Sequence, residues 1–267
     1  MSDIFLFLQN GWKNIWKEKL LWLFSALFIL NALISFIPIH NNAGLLMNLL
    51  GIAKAFTSWF LITISSLGLT YIAYCTINGI PVNIQTTFLV IRKFFWKVFY
   101  ASIVILFFLA PFICLVLIFS FSSNKQLFPI MLAHNFRIVI IPLSVFGTIS
   151  FFLTAEIITS ESSIWKSLKT VWVVFTKHFA VLAFIGIILT VAGYAIDITI
   201  GSAIILFQHK FDLAVLSKLD FIAPYLSFTN QNPYTLAEAI TQSVWRPYNT
   251  SVFILAYVKY RNIQTKK

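Results

Sequence analysis

The chain has 267 residues, of which 60% are hydrophobic and only 10% charged, and its mean hydropathy is +0.90. Soluble proteins carry about 25% charged residues, so this composition excludes a soluble domain. The net charge of +11 comes from lysines and arginines in small groups between apolar runs. That distribution is typical of membrane-protein loops and argues against a nucleic-acid-binding protein.

Apolar runs along the chain are long enough to cross a bilayer, which takes about 20 helical residues. Six such runs cover residues 20–38, 57–78, 98–121, 137–158, 179–206 and 237–258. The sequence therefore predicts an all-α fold, a polytopic membrane helix bundle with six transmembrane helices. The whole of 1–267 forms a single integral membrane domain in this prediction.

The lysines and arginines between these runs set the orientation. With the N-terminus inside, thirteen of them fall on the inner side and five on the outer side, while Arg246 stays within the last run. The positive-inside rule then places the N-terminus and the C-terminus in the cytoplasm. A composition rich in Phe, Ile, Asn and Lys, with no targeting extension, favours a bacterial plasma membrane.

An internal repeat is indicated by three lysines, Lys17, Lys97 and Lys177, which are eighty residues apart. The stretches that end at them read "LQNGWKNIWK", "FLVIRKFFWK" and "LKTVWVVFTK", and each leads into an apolar run. This spacing predicts a three-fold repeat of helical hairpins over residues 1–80, 81–160 and 161–260. Internal repeats are common in transporters, although plain duplication produces them as well.

Each of these stretches is predicted to be an amphipathic interfacial helix. In residues 160–177 an apolar face has helical spacing, and the opposite face is polar. The apolar face consists of Ile164, Trp165, Leu168, Val171, Trp172 and Phe175, and the polar face of Lys166, Lys169 and Thr170. Such helices lie in the headgroup layer and bind anionic membrane lipids at the inner face. They act either as elbows that turn the chain into the membrane or as lipid-sensing and partner-docking elements.

Two longer stretches carry a family resemblance. They are "FFLTAEIITSESSIWKSLKTVWVVFTKHFAVLAF" at 151–184 and "WRPYNTSVFILAYVKYRN" at 245–262. They resemble the membrane domain of some bacterial glycerophosphoryl diester phosphodiesterases and related six-span proteins. In that family an acid often ends the fourth span, which Glu156 matches, and the last span has a proline, which Pro247 matches. The resemblance implies a membrane domain without the phosphodiesterase activity, because the chain has no room for the catalytic domain.

Catalytic and metal-binding patterns are scarce. The four histidines, His40, His134, His178 and His209, have no partner at the close helical spacing of a metal site. Cys75 and Cys114 fall at opposite ends of the predicted membrane, which argues against a disulfide. We therefore predict no catalytic residue, no metal and no cofactor.

The ionisable residues in or near the bilayer are better candidates for function, since burying a charge there is costly. Glu156 lies at the inner end of the fourth run, as a solvated or locally paired charge. Asp197 shares a helix face with Gly193 and Gly201, while Arg246 precedes Pro247 near mid-bilayer. We expect Asp197, Arg246 and Pro247 to form an intramembrane polar pocket, in which Arg246 pairs with Asp197. The alternatives are a purely structural pair or an arginine held by backbone carbonyls.

These features favour a non-enzymatic integral membrane protein that acts as a scaffold or accessory to a membrane protein partner. A transporter or permease for an unknown substrate is the alternative, and a lipid-processing membrane enzyme is the third interpretation. A through-going polar cavity would favour transport, and a closed apolar bundle would favour the scaffold. An acid, a base and a nucleophile in one place would favour the enzyme.

The predicted topology can be tested with single cysteines. Cysteines at Lys97 and Lys177 should react with an impermeant thiol reagent only from the cytoplasmic side, and cysteines at Lys125 and Lys210 only from the outer side. Reaction of both pairs from one side would rule out the six-span arrangement.

Overall fold

The computed structural model describes residues 2–35, 44–122, 136–208 and 232–265, and within these ranges it consists of helices and short connections without a strand. Eight helices follow in chain order. They are α1 (Ser2–Lys17), α2 (Leu20–Ser35), α3 (Gly44–Ile77), α4 (Ile84–Ser122), α5 (Phe136–Ser160), α6 (Ile164–Lys177), α7 (Phe179–Gln208) and α8 (Asn232–Thr265). The predicted all-α class is confirmed for this part of the chain.

Some of the helices are long and apolar enough to cross a membrane. Among the described residues, Leu49–Ile77 in α3 and Ile84–Pro111 in α4 meet this condition. A third span results if α6 and the first half of α7, which meet at 94°, count as one. The described apolar parts of α2 and α5, Leu20–Asn31 and Ser144–Ser160, are shorter. Two or three candidate spans thus support a helical membrane protein.

The amphipathic segments do not all form separate helices. α1 ends at Lys17 and α6 ends at Lys177, whereas α4 runs without a break through Lys97. The residue that follows the lysine differs among the three segments. It is Glu18 after α1, His178 after α6 and the buried Val98 within α4.

Three helical hairpins make up the bundle, α2 with α3, α4 with α5, and α7 with α8. The second helices of the hairpins, α3, α5 and α8, pack against one another at the centre. Each of them also packs against the first helix of the next hairpin, α3 on α4, α5 on α7 and α8 on α2. The amphipathic segments follow the same order, because α1 packs on α8, the start of the α4 hairpin on α3, and α6 on α5.

The buried residues of the amphipathic segments also recur at intervals of eighty residues. Four positions of the amphipathic segments are buried in all three copies. They are Phe7, Thr87 and Ser167; Gly11, Ile91 and Val171; Asn14, Phe94 and Val174; and Ile15, Phe95 and Phe175. The side chains at these positions differ in size and polarity, so the common feature is the buried face of the helix and not the residue type.

Close helix contacts hold the bundle together at glycines. A Cβ atom at Gly11 of α1 would collide with Val252 of α8, and one at Gly68 of α3 would collide with the ring of Phe24 in α2. At Gly186 of α7 a Cβ atom would lie 2.9 Å from the Thr148 hydroxyl of α5. Each of these positions therefore needs glycine for the neighbouring helix to approach.

Gly68→Ala should lower the free energy of unfolding by about 1–3 kcal/mol, because the added methyl overpacks the buried Phe24 ring. The measurement is chemical unfolding of the purified protein in detergent micelles. Gly147→Ala is the matched control, since nothing lies within 4 Å of a Cβ atom there. In that helical position alanine should stabilise by about 0.5–1 kcal/mol. Equal effects of the two substitutions would contradict the packing described for α2 and α3.

Candidate functional site

Glu156 lies in the last turns of α5 and is buried, with only 3% of its surface exposed. Its carboxylate is held by two residues of α8. The Tyr257 hydroxyl donates a hydrogen bond to Oε2, and Arg261 Nε lies 3.0 Å from the same oxygen. Arg261 also donates from Nη2 to Oε1 at 3.4 Å. The acid is therefore buried and paired within the protein, and it does not face solvent.

Tyr257 and Arg261 reach the same carboxylate because they are four residues apart on one helix face. The Arg261 guanidinium lies 5.8 Å from the Tyr257 ring centroid, so the cation rests against the aromatic face as well. Thr159 adds a hydroxyl at 3.3 Å from the Tyr257 oxygen. This Glu156–Tyr257–Arg261 cluster joins α5 to α8 and neutralises the charge that it buries.

A chain of serine hydroxyls leads from this cluster to α6. Ser160 Oγ donates to the Glu156 carbonyl at 2.7 Å and lies 2.8 Å from Ser162 Oγ, and Ser162 Oγ lies 2.7 Å from Ser167 Oγ. Ser163 is the N-cap of α6, where its hydroxyl accepts from the Lys166 amide. The hydroxyls satisfy the backbone where the chain turns from α5 into α6, and they fix the position of α6.

Glu161 connects this turn to α4 on the exposed side. Lys93 Nζ lies 2.7 Å from its carboxylate, and Lys97 Nζ donates to its carbonyl at 3.2 Å. The hydrogen bond from Lys93 lowers the pKa of the Glu161 carboxyl. The backbone of Glu161 has a φ of 54°, a conformation that non-glycine residues rarely adopt. Because the pair is exposed, it positions the turn but adds little stability.

The C-terminal end of α8 also contacts α1 and the junction between α6 and α7. Lys259 Nζ lies 2.8 Å from Asp3 of α1, and the Tyr260 ring meets the Phe7 ring edge-on. On its other side Tyr260 stacks on His178, with ring centroids 4.1 Å apart. Burial lowers the pKa of His178, and the neighbouring charge of Lys177 lowers it further. The last turns of α8 thus hold two of the three amphipathic segments.

The amphipathic segments share an exposed surface of tryptophans and lysines, here called the amphipathic surface. Its tryptophans, which are between 47% and 67% exposed, are Trp12, Trp16, Trp96, Trp165 and Trp172. Exposed lysines lie beside them, among them Lys13, Lys17, Lys93, Lys169 and Lys177. In α6 the structure divides the predicted apolar face, because Val171 and Phe175 are buried whereas Trp165 and Trp172 are exposed.

The second predicted site lies in α8, which stays helical through Pro247. Arg246 Nε donates to Gln242 Oε1 at 2.6 Å, and its guanidinium lies 5.4 Å from the Phe28 ring centroid. The side chain of Asp197 is outside the described part, so the pairing of Arg246 with Asp197 stays a prediction. Beside Arg246, Trp245 donates from Nε1 to the Leu189 carbonyl at 3.1 Å, and this contact fixes α7 on α8.

Metal-binding and thiol chemistry find little support in the described ranges. They hold no group of three or more His, Cys, Asp or Glu side chains able to bind a metal ion. His40, His134 and His209 lie outside the described residues, as does the side chain of Cys114. Cys75 is a buried free thiol.

Comparison with protein-family models, curated proteins and solved structures found no match for this chain. The resemblance to the phosphodiesterase membrane domain therefore remains a prediction. The residues of the described site are known from the structure alone. Sequence reasoning singled out Glu156 but missed Tyr257 as its partner, although tyrosine and arginine at a spacing of four near the end of an apolar run were a usable signal.

Glu156→Gln should destabilise the protein by about 2 kcal/mol, because it leaves the partly buried Arg261 without its carboxylate. Arg261→Gln should cost a similar amount, and the double variant should cost about 0.5–3 kcal/mol less than the sum of the two. Unfolding in detergent micelles measures all three.

Lys93→Gln is the control, since it breaks an exposed ion pair and should cost less than about 1 kcal/mol. If Glu156→Gln costs no more than Lys93→Gln, or if the two losses at Glu156 and Arg261 simply add, the cluster does not hold α5 to α8.

Proposed function

We propose that this chain is a non-enzymatic integral membrane protein of the bacterial plasma membrane, with six spans and both termini in the cytoplasm. In this proposal it acts as a scaffold or accessory to a membrane protein partner. The observation that carries the proposal is that the Glu156 carboxylate is bound within the chain. Its carboxylate is buried and bound by Tyr257 and Arg261 of the same chain, so it serves to join helices and offers no group to a substrate.

Three equivalent hairpins around a common axis are part of the proposal. The cyclic order of helix packing and the positions buried in every copy support a repeat over 1–80, 81–160 and 161–260. Such an arrangement gives the amphipathic segments equivalent places around one end of the bundle. A scaffold benefits from this geometry because it presents several similar docking positions in one plane.

We assign the amphipathic surface to the inner leaflet. Tryptophans that are exposed in the structure would dip into the headgroup layer, while the lysines beside them would contact anionic phosphates.

A transporter or permease is the second candidate, favoured by the polar middle of α8, where several buried oxygens have no hydrogen-bond partner in the described part. A lipid-processing enzyme ranks third. Among the described residues the one buried acid, Glu156, is already bound by Tyr257 and Arg261.

Extraction from native membranes into polymer-bounded lipid discs, without detergent, tests the proposal. We expect a second membrane protein at a fixed ratio to this chain, and a lipid fraction richer in anionic phospholipids than the bulk membrane. Lys169→Gln combined with Lys177→Gln should reduce that enrichment by weakening anionic-lipid binding by about 2 kcal/mol, because each lysine near the surface contributes about 1 kcal/mol.

Lys54→Gln is the matched control, since Lys54 is predicted at the opposite membrane face and its loss should leave the lipid fraction unchanged. Recovery of this chain as the sole protein, in lipid of bulk composition, would contradict the scaffold. Transport of a solute across the membrane of liposomes that contain the purified chain alone would favour the transporter instead of the scaffold.

A further inference from the structure

The middle of α8 is unusually rich in buried polar groups. Four side-chain oxygens between residues 241 and 251 are buried and make no hydrogen bond in the described part of the chain. They belong to Thr241, Asn249, Thr250 and Ser251. A fifth, Thr70 Oγ1, lies on α3, which packs against α8. Burying such a group without a partner costs more than a typical hydrogen bond contributes, so each one calls for an explanation.

Other threonines of this protein show that the arrangement in α8 is not the default. In the described helices, ten threonine hydroxyls donate to the carbonyl four residues earlier. They are Thr57, Thr63, Thr76, Thr87, Thr148, Thr154, Thr170, Thr176, Thr190 and Thr199. The hydroxyls of Thr70, Thr241 and Thr250 are buried but do not form this bond.

Pro247 adds a backbone acceptor to the same region. Proline has no N–H, so the carbonyl of Ser243 loses the helical donor that it would otherwise have. Two neighbouring donors bind other acceptors, since Trp245 Nε1 donates to the Leu189 carbonyl and Arg246 Nε donates to Gln242 Oε1. In membrane proteins, interrupted backbone of this kind is tolerated where it is buried in protein or lines a water-filled cavity.

The chemistry of these groups selects the ligand. Hydroxyls donate and accept, whereas the Asn249 Oδ1 atom and the Ser243 carbonyl only accept. The positive charge of Arg246, one turn away, disfavours a cation, and the unpaired acceptor oxygens disfavour an anion. A neutral molecule with both donors and acceptors fits best, and water is the smallest of these.

We propose that the middle of α8 lines a hydrated pocket inside the bundle, which takes neutral hydrogen-bonding molecules, water first. Thr250 and Ser251 are its principal side chains, and Pro247 supplies its backbone acceptor. The proposal does not depend on the scaffold function, because a hydrated interior is compatible with a scaffold and with a permease.

Single cysteines test the pocket. In a chain whose Cys75 and Cys114 are replaced by alanine, Thr250→Cys and Ser251→Cys should react with methyl methanethiosulfonate about tenfold faster than Val252→Cys and Ile254→Cys. All four positions are buried in α8, but a thiol reacts as the thiolate, which forms where water solvates it. Equally slow reaction at all four positions would overturn the pocket, whatever the variants below do.

Conservative removal of the hydroxyl gives an independent measurement. Thr250→Val keeps the shape of the side chain but removes its bonds to water, so the thermal unfolding midpoint in detergent should fall. Thr148→Val is the reference for the size of this fall in midpoint, because the Thr148 hydroxyl is buried and donates to the Ser144 carbonyl at 2.8 Å. If the midpoint of Thr250→Val rises or stays at the wild-type value, the Thr250 hydroxyl makes no bond to water, and this would also overturn the proposal.

Discussion

The bundle depends on one constraint, which is that α8 is too polar to face lipid. It carries Arg246, an internal proline and several buried hydroxyls, and a charged or unsatisfied group in hydrocarbon is costly. The helix is accordingly surrounded, because α1, α2, α3, α5, α6 and α7 all pack against it. The more apolar helices supply the outer surface, where residues such as Phe56, Phe107 and Phe184 are exposed.

The position of α8 also explains how the ends of the chain meet. The last helix contacts the first through Gly11 and Val252 and through the ion pair of Lys259 with Asp3. The cyclic packing order of the hairpins therefore closes with contacts between residues that are far apart in sequence.

Much of the helical layout was readable from the sequence. The segment boundaries at Lys17 and Lys177 and the buried face with Val171 and Phe175 follow from apolar spacing. The uninterrupted α4 did not, because its stretch has the same apolar spacing and ends at a lysine in the same register as α1 and α6. The division of that face between buried Val171 and exposed Trp172 did not follow either, since helical spacing assigns a side chain to a face but does not reveal how wide the contact with the neighbouring helix is.

The site was less predictable, because its members come from different helices. Glu156 was recognised as a charge at a helix end, but the sequence does not tell which helix packs beside it, and so Tyr257 was missed. For Arg246 the sequence indicates that burying the charge is costly, but it does not show that Gln242 is one of the residues that bind it.

The end of the bundle that carries the amphipathic segments couples the amphipathic surface to the core through contacts of very different strength. The ion pairs of Lys93 with Glu161 and of Lys259 with Asp3 are exposed, so solvent weakens them. The Glu156–Tyr257–Arg261 cluster is shielded, and the hydroxyls of Ser160, Ser162 and Ser167 extend it to the buried face of α6. These bonds therefore fix α6 to α5 and α8. A scaffold needs that rigidity, because a docking surface that moved freely on its core would lose part of its binding free energy to ordering.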